Sequence, residues 1–134
     1  MNIIITETTT ISEAQKMFHQ AYPFLKLEFS DKPHAEGAPT LNGHWYDPVF
    51  RLRTISKRPH DAVINIHPWI RTGELEQQFL NEFGLYPQVF RREGERWIQT
   101  AGTDIFTLDE QNCIGKNLSA RMYGESPTAS ANLL

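Results

Sequence analysis

The residues predict an α+β domain built on two copies of a strand–helix–strand unit. Three observations carry this: short β-branched runs at 2–6 and 63–66, an amphipathic helical stripe after each, and a second strand pattern after each stripe. Sliding the chain by 61 residues lays Ile3 on Ile64, Ile5 on Ile66, Glu13 on Glu74, Phe18 on Phe79, Tyr22 on Phe83, Phe24 on Leu85 and Phe29 on Phe90. Strand, stripe, breaker and second strand arrive in step. Two such units give βαββαβ, a ferredoxin-like fold or a related two-layer sandwich, with both helices on one face of an antiparallel sheet and an added strand and C-terminal helix. The same elements in another strand order are the alternative.

Each element has its own local warrant. Asn2 to Thr6 is short and β-branched, as a buried strand is. Thr10 and Glu13 make a capping box, and Ile11, Ala14, Phe18, Ala21 and Tyr22 share one helical stripe that Pro23 ends. Leu25, Leu27 and Phe29 alternate with Lys26, Glu28 and Ser30, a half-buried strand. A loop-rich insertion over 31–61 follows, rich in Pro and Gly; within it 49–55 reads as a short helix after Asp47-Pro48, with a strand as the other reading. After the 63–66 run, Thr72, Glu74 and Glu76 look like a first helical turn, Leu75, Phe79, Leu80 and Phe83 form the stripe, and Gly84 ends it. Gln88–Arg91 and Arg96–Gln99 flank Glu93-Gly94 as a hairpin. Thr107 with Glu110 is a second capping box, opening a last helix of about ten residues.

Composition bounds the functional classes. With 134 residues, 40% apolar and 22% charged, the chain is expected to fold as a single domain over 1–123, with repeat units at 2–30 and 63–91 and a frayed tail at 124–134. The formal charge of −3 supplies no field for nucleic acid, and the cluster Arg51, Arg53, Lys57 and Arg58 reads as a solvated face. A single cysteine, Cys113, excludes an internal disulfide and fits a reducing compartment. No signal-peptide pattern and no bilayer-length apolar run is seen, so a cytoplasmic location without membrane contact is expected. The glycines are isolated, with neither dinucleotide nor phosphate-loop spacing, so no cofactor is expected.

Two segments are familiar: Tyr22-Pro23-Phe24-Leu25-Lys26-Leu27-Glu28-Phe29, and the run from Gln88-Val89-Phe90-Arg91 through Trp97 and Thr103-Asp104 to Thr107-Leu108-Asp109-Glu110-Gln111-Asn112. Over roughly residues 1–118 the chain resembles a group of small bacterial proteins of unassigned function. The position before Thr107 is usually Trp in that pattern and is Phe106 here. The resemblance implies a compact bacterial domain and brings no activity with it.

The chemistry-bearing residues give ranked expectations. Arg91, Arg92, Trp97, Asp104, Gln111 and Asn112 form a polar and aromatic set that reads either as capping and salt bridging or as a recognition surface, since Arg and aromatic side chains dominate interface hot spots. His34, His44, His60 and His67, with Asp61, are candidate metal ligands, but their spacing matches no familiar ligand set. Cys113 lies inside the last helix, where a packed side chain is the ordinary role. The leading expectation is a non-catalytic protein-interaction or regulatory domain with an unknown protein partner or itself, a homo-oligomer formed through an exposed sheet edge or aromatic patch. The alternative is a small enzyme or metal-binding protein using the histidine-bearing loop 31–67, with Asp104, His34, His44 and His60 as its candidates.

Overall fold

A computed structural model of the chain describes residues 1–32 and 44–122; the expected tail at 124–134 and His34 lie outside them. Thr10 starts the first helix as its spacing requires: its hydroxyl accepts the Glu13 N–H at 3.1 Å. The Glu13 carboxylate takes the Thr10 hydroxyl at 3.3 Å. The helix, α1 (Ile11–Ala21), buries Ile11, Ala14 and Phe18, as its stripe predicts. It links strand β1 (Asn2–Ile5) to β2 (Leu25–Ser30). The ambiguous stretch at 49–55 is helical only over α2 (Leu52–Ile55). Then come β3 (Ala62–Asn65), α3 (Thr72–Phe83), the hairpin β4 (Tyr86–Glu93) and β5 (Arg96–Gln99), and α4 (Leu108–Met122). Gly84 closes α3 at φ 67°, a left-handed conformation that a side chain resists, and its N–H returns to Leu80. The second capping box is complete in both directions at 3.1 Å, between the Thr107 N–H and Glu110 Oε1 and between the Glu110 N–H and Thr107 Oγ1.

The strands form two antiparallel sheets. β1 pairs with β3, with Ile3 opposite Ile64; β2 pairs with β4, with Leu27 opposite Val89; and β5 extends the second sheet. This differs from the single sheet of a ferredoxin-like βαββαβ fold, in which β2 would lie beside β3. Several groups on the edges such a sheet would join are already engaged elsewhere. On β2, His19 Nδ1 meets the Leu25 carbonyl at 2.8 Å and Gln15 Nε2 donates to the Leu27 carbonyl at 2.8 Å. The next outward carbonyl, Phe29, accepts the Tyr46 N–H at 2.9 Å. On β3, the Gln78 amide bonds both the N–H and the C=O of Asn65, each at 2.8 Å. Backbone groups engaged in this way are not available to the ladder of a neighbouring strand.

Residues 48–52 and 104–108 fasten the starts of α1 and α3 in matching fashion. The first N–H groups of a helix have no partner inside it. Here those of Ile11 and Ser12 donate to Phe50 and Pro48, and those of Thr72 and Gly73 to Phe106 and Asp104, at 2.9 to 3.0 Å. The returning bonds, Leu52 N–H to Thr9 at 3.0 Å and Leu108 N–H to Ile70 at 2.9 Å, complete each clasp. Thr72 stands in the first turn of α3, as expected, and its hydroxyl adds a bond to the Phe106 carbonyl; Arg71 is the N-cap residue.

A single hydrophobic core joins the elements. Phe18, Phe29, Phe79 and Phe83 are fully buried within it, with Phe29 edge-on to Phe79 at 5.0 Å. The Tyr22 hydroxyl donates to the Ile66 carbonyl inside this core, and burial, with Asp109 nearby, pushes its pKa up to about 12. α4 lies against β4 at Gly115, where an added Cβ would stand 2.9 Å from the Arg92 carbonyl oxygen and 3.0 Å from the Phe24 Cβ. Gly115→Ala should therefore destabilise the fold by about 1–3 kcal/mol through overpacking, outweighing alanine's helix preference. Urea unfolding reads the result, and a variant as stable as the parent would show that α4 can shift outward freely.

Candidate functional site

The polar set singled out in the sequence is only partly brought together: Arg91, Gln111 and Asn112 turn to internal partners, whereas Arg92 is exposed and lies with Trp97 on the opposite face of the hairpin. Arg91 Nη1 donates to Gln111 Oε1 at 2.8 Å, and Gln111 Nε2 donates to the Thr103 carbonyl and hydroxyl at 2.9 Å. Arg91 also holds Glu93 Oε2 at 2.8 Å, and its side chain is only 14% exposed. Thr103 and Thr100 continue the chain of bonds to the Val89 carbonyl. Asn112 Oδ1 accepts the Phe24 N–H at 2.9 Å, and Arg92 Nε donates to the Gly94 carbonyl at 2.7 Å. Arg91, Thr100, Thr103, Gln111 and Asn112 thus tie the hairpin, the 100–107 loop and α4 to one another in a part-buried polar network. The backbone of Asp104 serves the α3 clasp, while its carboxylate acts on Glu76. Burial first, and the Asp104 charge second, push the Glu76 carboxyl up to about 8 against a smaller opposing pull from a Val89 backbone hydrogen bond.

The described histidines stay apart. His44 pairs with Asp31 at 3.6 Å, His67 stacks on Trp69 at 4.5 Å, and both ring nitrogens of His60 meet carbonyl oxygens, those of Asp61 and Glu82. A nitrogen engaged by a carbonyl has no lone pair for a metal. Asp61 is taken by Arg53 at 3.2 Å. Among the described residues no three His, Cys, Asp or Glu side chains lie together as metal ligands would, and Cys113 is buried in α4.

Two surfaces remain that sequence reading did not isolate. The first is the outer edge of β1. Hydrogen bonding of Ile66 N–H to the Met1 carbonyl sets the register, which turns the N–H and C=O of Ile4 away from β3. Among the described residues none bonds either group. Where α3 offers Gln78 to the edge of β3, the corresponding position of α1 is Met17, which packs on the core and cannot cap. Ile4 and Val63 stand opposite each other on the outer face at 59% and 58% exposure.

The second is a groove of about 620 Å³ where the polar stripe of α1 meets β2 and β5. Gln15, Lys16, His19, Lys26, Glu28 and Trp97 line it. The Lys26 ammonium lies 5.0 Å above both the Phe90 and the Trp97 rings. His19 stands edge-on to Trp97 at 6.2 Å. No family model, curated protein or solved structure matches the chain. No helix among the described residues is long and apolar enough to cross a membrane.

Proposed function

We propose that the protein is a non-catalytic interaction domain that self-associates by pairing β1 with β1 of a second copy. The open edge of β1 carries this reading. Exposed strand edges template further pairing unless a charge, a proline or a covering group blocks them. Among the described residues β1 has none of these: Asn2 to Ile5 is uncharged, so two copies meet without repulsion, and the Ile4 donor and acceptor are self-complementary in antiparallel pairing. The product is a four-stranded sheet β3-β1-β1-β3 whose outer face joins both Ile4–Val63 pairs into one apolar stripe. β5, an edge strand of the second sheet, is the weaker candidate because exposed Arg96 and Glu95 stand at its tip.

The two strand–helix–strand segments are, on the same reading, a duplicated unit. The matching clasps and the central pairing of Ile3 with Ile64 support this. Duplication explains why the edges differ: one half keeps Gln78 as its cap, and the other, with Met17, leaves its edge for a partner.

Sedimentation equilibrium of the full chain tests the proposal. The parent should sediment as a dimer at micromolar to millimolar concentration. Ile4→Lys, which places a charge on an exposed edge residue, should be monomeric with unchanged far-ultraviolet circular dichroism. A parent that stays monomeric at millimolar concentration, or a lysine variant that dimerises as well, would exclude β1 pairing.

A further inference from the structure

We infer that the groove between α1 and the β2–β4–β5 sheet is a binding site for a small aromatic carboxylate, held by its negative charge at Lys26. Alternation along paired strands puts Lys26, Phe90, Arg92, Trp97 and Gln99 on one face of the sheet. On that face the Lys26 ammonium is held over two rings, which fixes a long side chain that is otherwise costly to order. Among the described residues no carboxylate pairs with Lys26 or with Lys16 at the rim. Glu28, the one acidic residue of the lining, already receives Gln15 Nε2 at 3.3 Å. The groove thus presents a fixed cation without its anion.

The rest of the lining defines the remainder of the ligand. The His19 ring must donate from Nδ1 to the Leu25 carbonyl, so its orientation beside Trp97 is set and Nε2 is its remaining polar atom. The methylene stems of Lys16 and Gln20 and the Trp97 ring supply apolar contact for a flat hydrocarbon part. A groove of about 620 Å³ is of the size that takes a small organic molecule. Glu28 repels a second negative charge, which favours a monoanion over a diacid. The site is separate from the β1 edge and stands or falls independently of self-association.

2-Naphthoate is the probe, with acetate and 2-naphthylmethylamine as counterparts. Calorimetry and the Trp97 indole N–H resonance should both report saturable naphthoate binding, with acetate and the amine at least about tenfold weaker. Lys26→Met, which keeps the stem and removes the charge, should weaken naphthoate at least about tenfold, while Lys26→Arg should retain it within about threefold. Lys57→Met, which alters a cation above Tyr86 outside the groove, should change nothing. Absence of saturable naphthoate binding, equal binding of the amine, or undiminished binding by Lys26→Met in a chain with parental circular dichroism would overturn the assignment. Should Lys26→Met fail to fold, loss of the Trp97 shift in a folded Lys26→Arg protein would do so instead.

Discussion

Phe79→Ala should lower the folding free energy by about 3–5 kcal/mol, the range for deleting a buried phenylalanine ring. Phe79 has no exposed surface, meets Phe29 edge-on at 5.0 Å and lies 6.4 Å from Phe83, so its removal opens a void bounded by two other fixed rings. Those neighbours are anchored on β2 and on α3 itself, which limits how far they can close on the gap. Phe18→Ala is the companion, since Phe18 is equally buried in the same core and contacts Tyr22 at 5.5 Å. Urea midpoints at constant m-value read both losses. A decrease below about 1.5 kcal/mol for Phe79→Ala would mean that the core relaxes around the missing ring.

Glu76 gives the second large effect, and its sign follows from where its carboxyl titrates. That carboxyl loses its proton near 8 in the folded chain against an ordinary 4.5, so the native state keeps a proton that the unfolded state releases. Its contribution to stability is full below about 4.5 and is lost as pH rises toward about 8. The loss totals on the order of a few kcal/mol, because each tenfold difference in proton affinity between the two states corresponds to about 1.4 kcal/mol. Its Oε2 is buried without a hydrogen-bond partner, so ionisation leaves a charge with little compensation beside Asp104. Glu76→Gln keeps the shape and removes the titration. The variant should match the parent near pH 4.5 and exceed it increasingly up to pH 9, as read by urea unfolding across that range. Parallel stability profiles for parent and variant would show that Glu76 ionises in the native state at its ordinary pH.

Most elements are legible in the sequence because their signals are local. The Thr107–Glu110 box, the Leu25–Leu27–Phe29 alternation and Gly84 act through neighbours a few residues away, and each appears where its spacing places it. The fastening of α3 is hidden for the opposite reason: the Thr72 hydroxyl is claimed by Phe106, 34 residues along the chain. The division into two sheets is equally hidden, since it turns on Gln15, His19 and Gln78 reaching strand edges that the sequence does not mark as edges. α4 is longer than the expected run of about ten residues, with 15, because Asn117 and Ser119 are buried polar side chains that break the apolar pattern without leaving the helix.

The functional residues are harder to find for a related reason. Arg91 and Gln111 have the chemistry of a recognition surface, and only their mutual hydrogen bond shows that each is spent on the other. The groove is lined by Ser12, Gln15, Lys16, His19 and Gln20, whose helical spacing reads as an ordinary solvated face. What makes it more than that is Lys26 lying over Trp97, and this needs the register of three strands. At β1 the missing signal is a comparison within the chain: Met17 standing where Gln78 stands 61 residues later.

Interleaving has a consequence for synthesis of the chain. β1 forms its ladder with β3, and β2 with β4, so a growing polypeptide that has reached Arg58 owns both early strands and neither ladder. Ile3 and Ile5 lack a paired strand until Asn65 has left the ribosome, and Leu25, Leu27 and Phe29 lack theirs until Arg91 has. Folding is thereby deferred to a late and concerted event rather than proceeding half by half, and a chain stalled in its middle would expose two sticky strands at once.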